Sequence, residues 1–307
     1  IIGKNKFDIK SYWKLERQIE KEVITDFNEA KTKLKELLFS AVEYRMISDV
    51  PIGTFLSGGV DSSLVTAIAQ KLSDKPVNTF SIGFKEGKFN EASYAKKVAE
   101  HLGTNHFEKT LSYQDALDSF EKFFDTYDEP FADSSAFPTL LVSQFAKEHV
   151  TVILSGDGGD ENYLGYGFYN WGARLSNPIL KNLRTPIGKL LLLGGNRYKR
   201  AAQLFDYQDE RKLKSHIFSQ EQYCYSEKET ELLLKPDFLE ESKFNEEINT
   251  LNRKLSFTEE QALFDLKYYL QDDLLVKVDR ASMQHSLEVR VPLIDYRLVN
   301  FSLNLSE

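Results

Sequence analysis

Cysteine is nearly absent from this chain, because Cys224 is the only one among its 307 residues. A single cysteine excludes an internal disulfide and is typical of a reducing compartment, so we expect a cytoplasmic protein. The five histidines show no metal-ligand spacing, which argues against a zinc site. No apolar run approaches the roughly 18 residues of a membrane span, and we therefore expect no membrane partner.

Basic residues are fewer than acidic residues in this chain. The chain carries 39 Lys and Arg against 47 Asp and Glu, which gives a net charge of −8. A nucleic-acid surface needs concentrated Lys and Arg, so we expect no nucleic-acid partner. The chain begins Ile-Ile-Gly-Lys-Asn-Lys, with neither a signal peptide nor a methionine, and we therefore expect a piece of a longer protein.

Strand and helix patterns alternate along the first half of the chain. Strands are predicted at residues 50–56, 77–84, 104–108 and 150–154, and helices at 25–47, 64–72, 94–102, 113–124 and 134–147, the last with Asp133 as its N-cap. This alternation predicts an α/β domain with a parallel sheet and right-handed crossovers. Residues 170–256 are charged and helix-prone, which predicts a helical lid or second layer, and a helical pattern returns at 258–286.

The first predicted strand and its helix are joined by Ser-Gly-Gly-Val-Asp-Ser-Ser, residues 57–63, which we term the Ser57 loop. A small-residue turn from strand to helix directs backbone N–H groups and the positive helix end toward an anion. Asp61 is a carboxylate among these anion-binding groups, and a divalent cation shared with phosphates would explain it. The loop predicts a nucleotide phosphate site, although the chain contains no Walker-type loop.

A second constellation is Ser-Gly-Asp-Gly-Gly-Asp-Glu, residues 155–161, which we term the Ser155 loop. It follows a strongly apolar predicted strand. Ligands of parallel sheets bind beyond the carboxyl ends of strands, so the two loops could face one another. Three carboxylates and three glycines in one turn indicate metal-assisted phosphate chemistry or binding of a cationic group. For this motif alone, an acidic surface loop without function is the alternative.

The Ser57 loop resembles the pyrophosphate loop of the adenine-nucleotide α-hydrolase, or PP-loop, superfamily. Together with other segments it is similar to the synthetase domain of glutamine-hydrolysing asparagine synthetases. These segments are Thr-Phe-Ser-Ile-Gly-Phe (79–84), Asp-Glu-Pro (128–130), the Ser155 loop and Ser-Leu-Glu-Val-Arg-Val-Pro-Leu (286–293). The resemblance covers about residues 30 to 305 and implies a parallel-sheet PP-loop fold with a helical carboxyl-terminal lid layer.

The resemblance implies an amide ligase that uses ATP and Mg²⁺. Such an enzyme adenylates the side-chain carboxylate of aspartate, releases pyrophosphate, and transfers ammonia to give asparagine and AMP. In the family, ammonia comes from glutamine through a class II glutaminase domain that begins with a cysteine. Residue 1 is isoleucine here, so we expect that domain to be absent, with 1–24 as its linker and 25–307 as a synthetase domain truncated at its carboxyl end. A homodimer is the expected assembly.

Individual site residues follow from the same resemblance. Asp157 would be the catalytic residue, in the place of a glutamate that is one methylene longer in much of the family. Asp61 and Asp160 would contact Mg²⁺. The residues implied to bind ATP or pyrophosphate are Phe55, Leu56, Ser57, Gly58, Gly59, Asp61, Ser62, Ser63, Ile82, Ser155, Gly156, Lys277 and Arg280. The last two are included because the family's pyrophosphate-binding lysine lies downstream of the position of Glu307.

Two other functions stay open at this point. A relative with the same adenylation chemistry would amidate a sugar, form a β-lactam or close a peptide ring, because the motifs do not define acceptor specificity. The other is a non-catalytic ATP-binding module. The clustered carboxylates of both loops argue against this module, since a scaffold has no reason to keep costly clustered charge.

Overall fold

The computed structural model describes residues 2–3, 6–7, 9–84, 91–207, 209–222, 224–238 and 251–306. The chain divides into two compact units. We term Ile24–Tyr163 with Tyr269–Glu307 the sheet unit, and Ile1–Val23 with Leu164–Tyr268 the helical unit. Among the described residues, no helix combines the length and the apolar character that crossing a membrane requires.

Seven strands lie in the described residues: β1 (Ile2–Gly3), β2 (Lys6–Phe7), β3 (Ile52–Phe55), β4 (Asn78–Phe84), β5 (Asn105–Leu111), β6 (Val152–Leu154) and β7 (Glu288–Arg290). The first two pair as an antiparallel ribbon. The other five form one sheet, in the order β5-β4-β3-β6-β7, and every pairing in it is parallel. The predicted α/β fold class and the four predicted strands are confirmed, and β1, β2 and β7 are additions.

Helices of the sheet unit connect these strands. They are α1 (Phe27–Met46), α2 (Val60–Leu72), α3 (Ala92–Leu102), α4 (Tyr113–Asp118), α5 (Phe120–Thr126), α6 (Ala136–Lys147) and α7 (Gly159–Asn162). The first begins at Asp26, whose side chain accepts a hydrogen bond from the backbone N–H of Glu29. Its buried residues, Leu38, Ala41 and Val42, join apolar residues of α2 and β6 in one core cluster. Burying each large aliphatic side chain of this kind contributes about 1.5–3 kcal/mol.

The helical unit contains α8 (Asn170–Ser176), α9 (Pro178–Leu191), α10 (Asn196–Gln203), α11 (Leu213–Glu221), α12 (Glu227–Leu233) and α13 (Phe257–Phe264). The predicted helical character of residues 170–256 is thus confirmed where that stretch is described. A buried cluster of Leu175, Leu204, Tyr207, Leu213 and Ile217 forms its core. The amino-terminal segment belongs to this unit through an ion pair of Lys267 with Glu16, 2.8 Å.

A π-helix (Asp265–Leu274), α14 (Leu275–Met283) and α15 (Tyr296–Ser302) complete the chain. The single helix predicted at 258–286 is therefore wrong in detail, because apolar spacing alone does not separate α from π turns. The helix predicted at 113–124 is also interrupted. It breaks at Ser119, whose backbone N–H bonds to the Ala116 carbonyl and whose hydroxyl bonds to the Asp115 carbonyl.

The predicted N-cap of α6 needs correction as well. Ser135, not Asp133, is the N-cap residue, and its own side chain makes no capping hydrogen bond. Asp133 lies two residues earlier, where one carboxylate oxygen accepts hydrogen bonds from the N–H and the hydroxyl of Ser135, both 2.7 Å. Its other oxygen pairs with Lys277. Lys277, which is distant in sequence, thus holds the side chain of Asp133 in place. Capping rules consider only neighbouring residues and could not predict this partner.

Candidate functional site

The sheet reverses its direction of growth between β3 and β6. From β3 the chain adds β4 and β5 on one side, while β6 and β7 lie on the other. Such a switch point leaves a crevice at the carboxyl ends of the two central strands, and open α/β sheets bind ligands there. The Ser57 loop follows β3 and the Ser155 loop follows β6. Both sequence motifs therefore border this crevice.

The two loops lie directly against one another. A Cβ atom added to Gly156 would sit 2.6 Å from the backbone nitrogen of Ser62. A Cβ atom added to Gly159 would overlap the carboxylate of Asp61. The Ser155 loop therefore needs two positions without a side chain where the Ser57 loop approaches it. The facing arrangement expected from their places after the strands is what the structure shows.

The Ser57 loop is shaped by its own small residues. Gly58 has a φ of +85°, and a Cβ there would lie 2.6 Å from the backbone nitrogen of Ala95. The hydroxyls of Ser57 and Ser62 are 2.9 Å apart, and the Gly59 N–H donates to the Ser57 hydroxyl over 3.2 Å. Gly59 is the N-cap of α2 and supplies no side-chain cap. The amino terminus of this 13-residue helix is thus open to an anionic ligand.

Three aspartates of the two loops, Asp61, Asp157 and Asp160, lie together. Burial, and then the charges of Asp160 and Asp157, raise the pKa of Asp61. Burial also raises the pKa of Asp160. The hydroxyl of Tyr163 follows the same trend, since burial and the charge of Asp61 raise its pKa. No Lys or Arg in the described ranges forms an ion pair with Asp61, Asp157 or Asp160.

Polar atoms at the same loops also lack protein partners. The hydroxyls of Ser63, Ser155 and Tyr163 are buried, and none has a hydrogen-bond partner in the part of the chain that the structure describes. A buried hydroxyl without a partner costs about 1–3 kcal/mol, so such atoms in a crevice indicate a polar ligand. Phosphate oxygens are acceptors of the kind that these hydroxyls lack.

The aspartates of the two loops are too few to hold Mg²⁺ alone, but they fit a Mg²⁺ ion that also binds the phosphates of a nucleotide. Within the described residues, no group of three or more His, Cys, Asp or Glu side chains is arranged to hold a metal ion. Mg²⁺ in nucleotide sites is usually held by one or two carboxylates, with phosphate oxygens and water completing the octahedron. Asp61 and Asp160 match that smaller requirement, because neither forms an ion pair among the described residues and burial raises the pKa of both.

Comparison with known proteins agrees with this geometry. Residues 33–307 match the protein family described as asparagine synthase. The chain belongs to the asparagine synthase family. It is 39% identical over 282 residues to a putative glutamine-hydrolyzing asparagine synthetase of Methanocaldococcus jannaschii, covering 89% of this chain and 52% of that protein. It is 31% identical over 294 residues to asparagine synthetase 1 of Bacillus subtilis, covering 90% and 44%.

The chain therefore spans about half the length of the curated relatives that it matches. Among solved structures, an NH₃-dependent NAD synthetase from Campylobacter jejuni matches 69% of this chain and 99% of its own. Its TM-score is 0.33 at 16% identity, and a likeness this weak supports no inference.

The asparagine synthase segment at 286–293 supports the Ser155 loop. It contains β7, and the backbone N–H of Ser155 donates to the carbonyl of Arg290 over 3.0 Å. The Asn162 amide donates to the carbonyls of Gly158, 2.8 Å, and Leu293, 3.1 Å. Gly158 has a φ of +85°, and a Cβ there would meet Ile294 at 2.5 Å. The sequence reasoning missed Asn162, although its place directly after Asp-Glu in the motif was a usable signal.

Three of the predicted ATP contacts lie on the strands or at their ends. Leu56 continues β3 with a hydrogen bond from its N–H to the Phe80 carbonyl, 2.9 Å, and its side chain is buried beside Ala95 and Ala99. Phe55 and Ile82 are half-buried at the same end of the sheet. Leu56 thus has only its backbone to offer a ligand, and the role of all three in binding adenosine stays a prediction.

Lys277 and Arg280, predicted to contact phosphate, both lie on α14. The buried ammonium of Lys277 donates to Asp133, 2.8 Å, and to the Ser135 hydroxyl, 2.7 Å. Arg280 pairs with Asp128 at 2.6 Å. Their partners in the structure are thus residues of the 128–135 segment and not of the two loops. Phosphate binding by either residue stays a prediction, and Lys277 would have to exchange these partners to reach a phosphate.

A carboxylate that the sequence reasoning did not single out, Asp273, accompanies this ion pair. Burial, and then the charge of Asp133, raise its pKa to about 6, while Lys277 acts in the opposite direction. One of its carboxylate oxygens is buried without a hydrogen-bond partner in the described part of the chain.

Because α6 leads into β6 and α14 leads into β7, the amino-terminal ends of both helices lie toward the carboxyl edge of the sheet. The doubled Asp272-Asp273 within a helical pattern was the available signal.

Proposed function

We propose that this chain provides the synthetase part of an ATP-dependent amide ligase, which adenylates the side-chain carboxylate of aspartate and amidates it with ammonia. The observation that carries the proposal is the contact of the Ser57 and Ser155 loops at the switch point of the sheet. Asp61, Asp157 and Asp160, which form no ion pair in the described residues, and three unpartnered hydroxyls lie around it. Membership of the asparagine synthase family supports the same reaction.

The first step would join the aspartate side-chain carboxylate to the α-phosphorus of ATP. A carboxylate oxygen forms the new O–P bond, the bond between the α-phosphorus and the bridging oxygen breaks, and pyrophosphate leaves. The Ser57 loop would hold the pyrophosphate through its serine hydroxyls and the amino terminus of α2. Asp61 and Asp160 would hold Mg²⁺, which supplies neutralisation of phosphate charge when it is bound.

The second step would form the amide bond. Ammonia attacks the activated acyl carbon, AMP leaves with the electron pair of the C–O bond, and one proton leaves the nitrogen. The nitrogen becomes cationic as it adds, and a fixed carboxylate stabilises that charge and accepts the proton. Asp157, on the Ser155 loop, is our candidate for this carboxylate, and we expect Asp157→Asn to lower asparagine formation by about 100-fold.

The finer assignments form part of the same proposal. We propose that glutamine supplies the ammonia through a glutaminase domain outside these residues, and two relatives are themselves described as glutamine-hydrolyzing. We also propose the cytoplasm as the compartment, on the basis of the single cysteine. A homodimer is the proposed assembly.

The experiment is a measurement of pyrophosphate release from ATP, Mg²⁺ and ammonium, with and without aspartate. It uses the natural polypeptide that contains these 307 residues. We expect aspartate-dependent release and formation of asparagine. Asp61→Asn should abolish both, whereas Asp74→Asn, at an exposed carboxylate elsewhere in the sheet unit, should leave both unchanged.

Other outcomes would contradict the proposal in separate ways. Pyrophosphate release that ignores aspartate would move the assignment to a relative with another acceptor, such as a sugar or a peptide. Measurable ATP binding without any release would establish a non-catalytic nucleotide-binding module. Activity that survives Asp61→Asn would remove the Ser57 loop from the catalytic site.

A further inference from the structure

The helical unit contains a cavity of about 250 Å³. Among the described residues, α8, α11 and α13 each contribute three to its wall, and others come from α9 and from the segment between α10 and α11. These residues all belong to the helical unit, whereas the Ser57 and Ser155 loops belong to the sheet unit. A cavity of about 150 Å³ is large enough for benzene, so this one has room for a small organic molecule. We term it the α8 cavity.

The deep side of the α8 cavity is apolar. Leu175, Leu213 and Ile217 line it and are 1%, 8% and 0% exposed. Phe257 also lines it but is 48% exposed, so the cavity opens to solvent beside this ring. Sites for small molecules have this form, a concave apolar wall with a few polar groups that fix the orientation of the ligand.

One polar side chain in this wall is buried and incompletely bonded. Gln261 is 0% exposed, and its amide nitrogen donates to the Lys214 carbonyl, 3.3 Å, and to the Asp265 carboxylate, 3.4 Å. These two bonds fix which end of the amide is the oxygen. Oε1 is buried and accepts no hydrogen bond within the part of the chain that the structure describes. A buried amide oxygen without a donor is unfavourable, so this wall fits a ligand that brings an N–H or O–H group.

Two ion pairs line the same cavity. Lys181 pairs with Glu210, and Lys214 pairs with Glu260 over 3.1 Å. The four side chains are 35–58% exposed, which places the charges toward solvent and the apolar wall beneath them. An ammonium has three donors and a carboxylate has two acceptor oxygens, so each pair can bind a further group of either sign.

A free α-amino acid matches all three parts of the wall. Its carboxylate would bind the lysines, its ammonium would bind the glutamates and donate to the Gln261 oxygen, and an apolar side chain would pack on the deep wall. A carboxylate without an ammonium brings no donor to Gln261 and meets two glutamates of its own sign. A residue within a polypeptide has its amino and carboxyl groups in peptide bonds, so another segment of the protein cannot offer both charges on one small apolar body. We propose that the α8 cavity binds a free α-amino acid with an apolar side chain, of which leucine is an example.

The test is isothermal titration calorimetry of L-leucine into the natural polypeptide that contains these residues. We expect saturable binding with a Kd of about 1 mM or lower. Ser176→Leu extends a larger side chain from α8 into the cavity and should weaken binding at least about tenfold, and thermal unfolding checks that the variant is folded. The double variant Lys181→Gln with Lys214→Gln should cause a similar loss, because the leucine carboxylate then loses both cations.

Two analogues of leucine test each charge of the ligand separately. Isopentylamine lacks the carboxylate and isocaproate lacks the ammonium, and each should bind at least about tenfold more weakly than leucine. Equal binding of leucine and isocaproate would overturn the proposal, because the glutamates and Gln261 would then have no part in recognition.

Matched controls separate the α8 cavity from other sites. Lys189→Gln with Lys199→Gln changes two exposed lysines of the helical unit that do not line the cavity, and leucine binding should stay unchanged. Asp61→Asn, in the Ser57 loop, should also leave leucine binding unchanged, which separates this site from that of the proposed reaction. Absence of saturable leucine binding to the natural polypeptide would overturn the proposal, as would binding that persists in both cavity variants. Loss of leucine binding in Asp61→Asn would contradict it by placing the ligand at the Ser57 loop.

Discussion

Two sets of carboxylates in the sheet unit have opposite environments. Asp295 accepts hydrogen bonds from the side chains of Arg45 and Arg297, each 2.9 Å, and from the Arg297 N–H, 3.0 Å. These bonds outweigh the effect of burial and lower its pKa to about 2. At the facing loops, by contrast, burial and like charges raise the pKa of Asp61, and burial raises that of Asp160.

The difference is that the fold supplies two arginines to Asp295, a carboxylate that supports structure. Asp295 connects α15 to α1 through Arg45, and it is also the N-cap of α15. Asp61, Asp157 and Asp160 form no such connection in the described residues, and burial together with the charges of Asp160 and Asp157 disfavours the ionised form of Asp61. Residues kept in an unfavourable state at a sheet switch point indicate a site completed by its ligand.

The largest expected effect on stability comes from removing the carboxylate of Asp295. Asp295→Ala should lower the free energy of unfolding by about 3 kcal/mol, because two arginines lose their buried partner and α15 loses its cap. Urea denaturation at neutral pH measures this change. Asp74→Ala, at an exposed carboxylate, is the matched control and should change stability by less than about 0.5 kcal/mol.

The pH dependence of that effect follows from the lowered pKa. The pKa of an aspartate in an unfolded chain is about 3.9, whereas the pKa of Asp295 in the folded chain is lowered to about 2. Its contribution is therefore fully present above about pH 4 and is lost as the pH falls from about 4 toward 2. A stability difference between the natural chain and Asp295→Ala that did not shrink over this range would contradict the assignment.

A second change would break the contact between the two loops. Gly156→Ala places a Cβ 2.6 Å from the backbone nitrogen of Ser62, so one loop must move away from the other. We expect pyrophosphate release to fall by at least about 100-fold, because misplacement of reacting groups by an ångström has effects of that size. Gly167→Ala is the control, since a Cβ there meets nothing within 4 Å. Full activity in Gly156→Ala would show that the contact is not needed.

A smaller effect should distinguish Asp273 from Asp295. The pKa of Asp273 is raised to about 6, so its ionised form lowers stability above about pH 6 and has no such effect below about pH 4. Asp273→Asn should therefore raise the free energy of unfolding by about 1 kcal/mol at pH 8, and the gain should disappear at pH 4. Asp272→Asn, at its exposed neighbour, should show neither change. Destabilisation by Asp273→Asn at pH 8 would refute the raised pKa.

Sequence patterns predicted the features that are local. Apolar, β-branched runs followed by glycine-rich motifs located β3, β6 and the two loops, and the parallel order of the sheet then placed the loops together. Strand β7 was not predicted, because Glu288-Val289-Arg290 has one apolar residue between two charged ones. The partner of Lys277 could not be predicted from local patterns either, since Asp133 lies 144 residues away in the chain.

The most direct test compares Asp61→Asn with the natural chain, with and without ATP and Mg²⁺, by thermal unfolding at neutral pH. The substitution removes a charge that Asp160 and Asp157 repel, so the unliganded variant should unfold at the same temperature or slightly higher. The rise in unfolding temperature caused by ATP and Mg²⁺ should be lost. An unliganded variant as destabilised as Asp295→Ala, with an intact response to the nucleotide, would contradict the account.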